Sequence, residues 1–207
     1  MSKFTALTVG ISGGSAAGKT TVAGELARKL AVFKPALLEV DRYFKDHSGK
    51  NHEELAKINY DVPEALDFHL LERDLRLLRS GEAVLAPEYD YATHSSRPMA
   101  YRIEPSRLII VEGILLFHPA NIAPLMDFKI FVEAAREERL RRRIERDTVQ
   151  RGRTRESVIR QFNETVEPAY LQYTLPTKAL AAAVLDWNAV NHPALDHIVG
   201  RIGALMV

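Results

Sequence analysis

Eight consecutive residues, Gly13-Gly14-Ser15-Ala16-Ala17-Gly18-Lys19-Thr20, have the types and spacing G-x-x-x-x-G-K-[ST]. Glycines let a backbone curl until several N–H groups face one anion. A helix opening near Lys19 adds the positive end of its dipole. Lys19 can then reach the β- and γ-phosphates of a nucleoside triphosphate, and the Thr20 hydroxyl can meet Mg²⁺. With Thr21, which follows, the run 13–21 is the expected nucleotide-binding segment. The bland alternative is a glycine-rich turn. The full match, behind an apolar run and at the opening of a helical pattern, favours triphosphate binding.

Such a loop needs a carboxylate near the metal, at the end of another strand. Glu112 ends the apolar run Leu108-Ile109-Ile110-Val111, where an uncompensated carboxylate is costly. Mg²⁺ or a bridging water would explain it; a cap on a following helix is the alternative. Thr20 and Glu112 are therefore the expected metal pair. Asp41 ends a second apolar run. In open α/β sheets ligands bind beyond the carboxyl ends of strands. A carboxylate there can take a proton from an attacking hydroxyl, although by position alone an Asp that opens a loop fits equally well.

Phosphate chemistry also needs cations. Arg139, Arg143 and Arg146 fall on one helix face. Arg141 and Arg142 have Glu137 and Glu138 four residues before them, the favourable order for surface pairs. The other three have no such acid, although Arg143 can use Asp147 in the weaker order. A solvated helix face would explain any Arg-rich helix. Behind a phosphate loop, and with Arg151-Gly152-Arg153 next, a cationic lid over about 136–160 is the better reading.

The elements that must position these groups follow from periodicity. Ala6 to Ile11, Ala36 to Val40, Leu108 to Val111, Phe128 to Val132 and Ala183 to Leu185 read as short strands. Lys19 to Leu30, His69 to Leu78, Arg136 to Asp147 and Arg155 to Tyr170 read as helices, the second closed by Ser80-Gly81. The alternation predicts an α/β domain with a central parallel sheet of about five strands, flanked by helices. Pro87 and Pro98 exclude helix from 84–103, so a small β-hairpin excursion is expected over about 83–104.

At 207 residues one domain spanning 1–207 is expected. The net charge of +1 argues against a generally basic nucleic-acid binder. With no cysteine there is no disulfide scaffold, thiolate zinc site or thiol nucleophile. The first apolar run breaks at Gly10, and Ala179 to Leu185 is far shorter than the roughly 18 apolar residues of a membrane span. A cytoplasmic protein, with no membrane and no nucleic-acid partner, is expected. The near-neutral total is an average. Residues 136–160 hold ten Arg and five acids, a local net of +5, which leaves −4 for the rest.

No guanine-reading N/T-K-x-D is present; Thr177-Lys178-Ala179-Leu180 lacks the Asp. A small metabolite kinase fits the length better than a switch GTPase or a transport ATPase. From Gly10 to about Lys178 the chain resembles the uridine kinase (uridine–cytidine kinase) family of P-loop kinases. The resemblance rests on GISGGSAAGKTT at 10–21, DRYFKD at 41–46, NYDVPEALDF at 59–68, PEYDYATH at 87–94, LIIVEGILLF at 108–117, FVEAAREERLRRRIERDTVQRGR at 131–153 and QFNETVEPAYLQYTLPTK at 161–178. It implies a P-loop kinase fold and transfer of the γ-phosphoryl of ATP or GTP, with Mg²⁺, to the 5′-hydroxyl of uridine or cytidine. It implies Asp41 as general base, Lys19 with the loop amides on the donor phosphates, and Arg143 and Arg146 as lid cations. Tyr60, Asp61, Tyr89, His94, Arg143, Arg153 and Gln161 would surround the nucleoside. The partners are then a nucleoside and a nucleotide, and a homo-oligomer, by resemblance a tetramer, is implied.

Those roles make physical sense. Asp61 can accept from both ribose hydroxyls, Tyr60 and Tyr89 can pack on a pyrimidine, and a neutral His94 can donate or accept at the ring's 4-position. There are departures from the family pattern. The Arg after His94 comes one residue late, at Arg97. Phe44 lacks a hydroxyl. Ala181-Ala182-Ala183 lacks an acid, and Trp187-Asn188 stands where glycines usually do. Two rivals remain: a kinase for a sugar phosphate, resembling phosphoribulokinase, and a silent nucleotide-binding regulator. The aromatics of NYDVP and YDYATH favour a nucleoside over the first. The presence of Lys19, Asp41 and Glu112 argues against the second.

Overall fold

A computed structural model describes residues 4–51, 54–55, 58–91 and 93–206. Its centre is a five-stranded parallel sheet in the order β2-β5-β1-β6-β7. The strands are β1 (Leu7–Gly13), β2 (Ala36–Glu39), β5 (Leu108–Glu112), β6 (Phe128–Glu133) and β7 (Ala183–Asp186). β1 lies between β5 and β6, with Ile11 opposite both Glu112 and Ile130. That register brings the phosphate loop, Glu112 and the 39–41 segment to the same sheet end, because β2 pairs with β5 through Glu39 and Glu112. β5 and β6 are nearly continuous apolar runs because both faces are covered, while the edge strands β2 and β7 leave Leu37 and Val184 exposed. Val9, Ile11, Ile110 and Ile130 pack on one side with α1 (Lys19–Lys29) and a C-terminal helix, while Ile109 and Val111 face α2 (Phe68–Ser80).

The excursion is present. β3 (Val84–Asp90) and β4 (Ser95–Ile103) form an antiparallel hairpin with an irregularity between Ala86 and Glu88, at Pro87. The segment expected as a lid is α3 (Arg136–Gln150) followed by α4 (Arg155–Gln161). Arg155 to Tyr170 is not one regular helix. Beyond Gln161 the backbone widens into π-turns at Phe162–Val166 and Tyr170–Thr174, around a short α-turn at Glu167–Ala169, then tightens to a 3₁₀ stretch, Leu175–Leu180. The C-terminal helix α5 (His192–Leu205) was not anticipated, although Leu195, Ile198 and Ile202 carry its buried stripe. Among the described residues no helix is long and apolar enough to cross a membrane.

Helix α2 shows how the sequence sets local structure and how that structure reaches the site. The Asp67 side chain caps its start by accepting from the Leu70 amide at 3.0 Å, and Gly81 ends it in a left-handed turn at φ 91°. Leu71, Leu75 and Leu78 bury one face, and with them lies Asp74, 0 % exposed. A buried carboxylate needs partners. Asp74 accepts from the Tyr43 hydroxyl at 3.0 Å and from Arg73 Nε and Nη2 at 2.9 and 2.7 Å. Burial and the Asp74 charge push the Tyr43 phenol well above its ordinary value, so it stays a donor. Tyr43 belongs to the 3₁₀ turn Val40–Tyr43 that also carries Asp41, and its carbonyl accepts from the Asp67 amide at 2.8 Å. The Asp41 turn is thus fastened to the start and middle of α2.

Tyr43→Phe removes a hydrogen bond to a charged, fully buried acceptor. The expected loss of stability is about 1.5–3 kcal/mol, read as a lower urea midpoint with an unchanged slope. An unchanged midpoint would show that Asp74 does not depend on Tyr43.

Candidate active site

The loop between β1 and α1 takes its shape from backbone conformations that few residues adopt. Gly13 and Gly18 have φ of 152° and 105°, and Ala16, unusually for a residue with a side chain, has φ 61°. A Cβ on Gly13 would collide with the Val132 carbonyl, and one on Gly18 with the Trp187 ring. The Ala17 amide closes the turn onto the Gly14 carbonyl at 3.1 Å. Lys19 bends back to the same carbonyl, at 3.0 Å from Nζ. Its ammonium therefore lies inside the curl, where an anion would meet it. Burial lowers the Lys19 pKa, and the charges of Glu112 and Asp41 oppose that shift.

A cavity of about 260 Å³ opens in front of the loop, lined by Ser15, Ala16, Gly18, Lys19, Thr20, Thr21, Asp41, Glu112, Ile114, Arg142 and Arg146. The structure therefore brings into one space the phosphate loop, both candidate strand-end carboxylates and one proposed lid cation. Gly13, Gly14 and Ala17 form the back of the loop rather than its face. Thr20 Oγ1 donates to Glu112 Oε1 at 2.8 Å. Burial raises the Glu112 pKa, against the pull of Lys19. A hydroxyl and an under-compensated carboxylate side by side are the hard oxygen donors that Mg²⁺ takes together with phosphate oxygens, so the pair fits that ion. Among the described residues no group of three or more His, Asp or Glu could hold a metal alone.

The residues expected around a nucleoside gather beside this cavity. Tyr60 stacks on His94, ring centres 5.1 Å apart at 23°. The Tyr89 hydroxyl lies 3.4 Å from His94 Nδ1. Phe44 packs against Tyr60, Tyr89 and Tyr91, at 5.8, 5.3 and 6.5 Å. Burial, with the charges of His47 and Arg151, lowers the His94 pKa, so near neutral pH the imidazole keeps one donor and one acceptor nitrogen. Asp61 is buried; burial raises its pKa, the Arg143 charge opposes that, and the Asp41 charge adds to it. Gln161 Oε1 accepts from Arg143 Nη2 at 3.0 Å and from Arg153 Nη1. Arg143 Nη1 donates to Ser15 Oγ at 2.7 Å. One guanidinium therefore joins the phosphate loop to the helix that carries Gln161.

Several arrangements differ from what spacing suggested. Arg139 is not a lid cation. It is 2 % exposed, bonded to Glu167 at 2.8 Å, and lies over the Tyr170 ring at 4.0 Å. It backs Gly14, where an added Cβ would come within 3.0 Å of it. Arg141 pairs with Glu138 and Glu145, at 2.7 and 3.4 Å, not with Glu137; Arg142 also takes Glu138, at 2.7 Å. Three-residue spacing serves as well as four on a helix. Arg97 is exposed and pairs with Glu88 across the hairpin at 2.8 Å, away from the cavity. Trp187 and Asn188 reach the loop instead. Arg142 donates to the carbonyls of Ala17, Trp187 and Asn188, at 3.1, 2.7 and 3.0 Å.

One residue does more than pair with Arg143 as its spacing suggested, and a second was missed. Asp147, 0 % exposed, lies within 4 Å of four guanidiniums: Arg146 at 2.8 Å, Arg143 at 3.5 Å, Arg151 at 3.7 Å and Arg153 at 3.9 Å. Its carbonyl accepts from the Arg151 and Arg153 amides, at 3.3 and 3.1 Å. Burial alone would raise its carboxyl pKa. The Arg146 hydrogen bond and the surrounding cations more than offset that and hold it below the usual range. The clustering of four arginines on both sides of Asp147 in 143–153 was the available signal. The second is Tyr91, whose hydroxyl donates to Asp41 Oδ2 at 2.8 Å. No spacing rule links residues fifty positions apart.

The sequence pattern of the phosphoribulokinase / uridine kinase family matches residues 8–192. A uridine kinase of Chloroflexus aurantiacus is 42% identical over 198 residues, 96% of this chain and 95% of that protein. A uridine kinase of Leuconostoc citreum is 41% identical over 202 residues, 97% and 96% of the two chains. Among solved structures, phosphoribulokinase from Rhodobacter spheroides aligns with TM-score 0.61 at 20% identity, covering 87% of this chain and 69% of that one. D-glycerate 3-kinase from Cryptococcus neoformans aligns with TM-score 0.59 at 14% identity, over 84% and 80%. At such identities the structural likeness speaks for the fold.

Asp147→Asn leaves the four guanidiniums without their shared counter-charge. The expected loss is about 3 kcal/mol, the scale for breaking a buried pair, in urea melts at neutral pH. Because the folded pKa is depressed, the stabilisation is complete above the unfolded value of 3.8 and is lost as pH falls through the lower folded value. The gap between variant and parent must therefore narrow on acidification below that value. A gap that stays constant with pH would show that Asp147 acts by packing alone.

Proposed function

The chain belongs to the phosphoribulokinase / uridine kinase family, and from that premise we infer that it transfers the γ-phosphoryl of ATP to the 5′-hydroxyl of uridine, with cytidine as a second acceptor and GTP as an alternative donor. The observation that carries the reading is the single cavity that Lys19, Thr20, Asp41, Glu112 and Arg146 share, with the Tyr60, Tyr89 and His94 aromatics beside it. Donor phosphates and acceptor hydroxyl need such a common space, since phosphoryl transfer leaves the protein mainly positioning and electrostatic work.

In this reading the loop amides and Lys19 bind the β- and γ-phosphates. Thr20 and Glu112 hold Mg²⁺, which when bound neutralises phosphate charge. Arg143 and Arg146 approach the transferring group from the lid. Asp41 accepts the 5′-hydroxyl proton, Asp61 takes the ribose hydroxyls, and the Tyr60, Tyr89 and His94 group receives the pyrimidine. Arg153 and Gln161 fix the lid side of that pocket. The enzyme works in the cytoplasm on free nucleosides and nucleotides and assembles as a homo-oligomer, for which light scattering in solution is the check.

An acceptor panel tests the reaction. Uridine and cytidine are expected to be phosphorylated with ATP and Mg²⁺, and ribulose 5-phosphate is not; activity on the sugar phosphate alone would overturn the assignment. Asp41→Asn is expected to lower kcat by roughly 10²–10⁴ while ATP binding, followed by fluorescence titration, stays close to the parent's. Normal turnover in that variant would remove Asp41 from the role of base.

A further inference from the structure

Asp41 sits in the middle of a set of charges. Lys19 from α1, Glu112 from β5 and Asp61 from the turn before α2 all feel its charge, and Arg146 from α3 lines the same cavity. Electrostatics of mixed sign around a carboxylate do not choose between its two oxygens. A hydrogen bond does. Among the described residues the only side-chain hydrogen bond to Asp41 is the one from Tyr91, at 2.8 Å to Oδ2.

Tyr91 is itself well held. Its ring packs edge-on to Tyr89, centres 5.3 Å apart at 81°, and near Phe44 at 6.5 Å. Arg151 lies over the ring, its guanidinium carbon 4.3 Å from the centre. Arg151 is in turn paired with Asp147 at 3.7 Å. Burial and the Asp41 charge push the phenol well above its ordinary value, so the hydroxyl remains a donor. A donor contacted by Tyr89 and Phe44 on one side and Arg151 on the other therefore meets one oxygen of a carboxylate whose backbone is fixed by Tyr43.

We propose that Tyr91 is a positioning residue that holds Oδ2 of Asp41 and so presents Oδ1 as the oxygen that takes the acceptor proton. The proposal rests on Asp41 acting as base. In the step it serves, the proton of the 5′-hydroxyl passes to Oδ1 as the hydroxyl oxygen bonds to the γ-phosphorus. The bond from that phosphorus to the β–γ bridging oxygen breaks, and its electron pair leaves with the nucleoside diphosphate. Without Tyr91 the carboxylate can rotate between its neighbours, and misorientation at the reacting atom lowers kcat rather than binding.

The test is a double-mutant cycle on the full chain with uridine and ATP. Tyr91→Phe keeps the ring and removes only the donor. It is expected to lower kcat about tenfold, the scale of one hydrogen bond to a charged acceptor, with both KM values within about twofold of the parent's. In the Asp41→Asn background the same change is expected to have almost no effect on kcat. Three results would overturn the proposal: an unchanged kcat in Tyr91→Phe, a loss confined to the KM of uridine, or an equal loss in both backgrounds. An Asp41→Asn enzyme with full activity would instead strike the assignment of the base. The KM for ATP serves in every variant as the measure of an intact fold.

Discussion

The arrangement depends on keeping several cations close together before any phosphate arrives. Guanidiniums a few ångströms apart repel one another, and more strongly away from water. The buried Asp147 carboxylate makes the cluster of Arg143, Arg146, Arg151 and Arg153 tolerable. Its position is dictated by helix geometry. Arg143 and Arg151 lie four residues to either side of it, Arg146 precedes it, and its carbonyl turns the chain so that Arg153 comes back. One acid thus sets both the charge and the shape of this corner. The cations are oriented in advance, which is what the role proposed for Arg143 and Arg146 would need.

The phosphate loop is braced from behind in a comparable way. Arg139, stacked on Tyr170 and paired with Glu167, supports Gly14. Trp187 fills the space beside Gly18, and Arg142 ties Ala17 to the 187–188 turn. The π-turns after α4 belong to this bracing. A wider helical turn shifts the side-chain phase, and Phe162, Glu167 and Tyr170, all drawn from this segment, are the groups that meet Arg139. The loop's glycines permit its shape; these distant side chains hold it.

What could be read from the sequence divides along that line. The loop, the strand ends bearing Asp41 and Glu112, the hairpin and the arginine-rich helix α3 were legible because each is a local pattern: a spacing, an alternation, an excess of one charge. The sheet and its five strands followed from the same patterns. What was not legible depends on contacts between distant positions. Arg139 looked like its neighbours Arg143 and Arg146 because all three share a helix face, and its partners Glu167 and Tyr170, far along the chain, distinguish it. Tyr91 looked like one more aromatic of the hairpin until the fold set it against Asp41. Helix α5 had its buried stripe in plain sight, yet two glycines, Gly200 and Gly203, weakened the pattern.

The same geometry explains why a nucleoside suits this pocket better than a phosphorylated sugar. On the donor side Lys19 and Arg146 face the cavity, Arg146 with its Nε on Asp147. On the acceptor side the guanidiniums are already engaged: Arg153 with Gln161, Ser157 and Asp147, and Arg143 with Ser15 and Gln161. Asp61 and Asp41 stand there as acceptors, and His94, lowered in pKa, offers no full positive charge. A phosphate dianion on the acceptor would meet two carboxylates and a wall of aromatic rings. In the proposed reading an uncharged ribonucleoside would meet acceptors for its hydroxyls and rings for its base, and specificity would come as much from what the acceptor side repels as from what it binds.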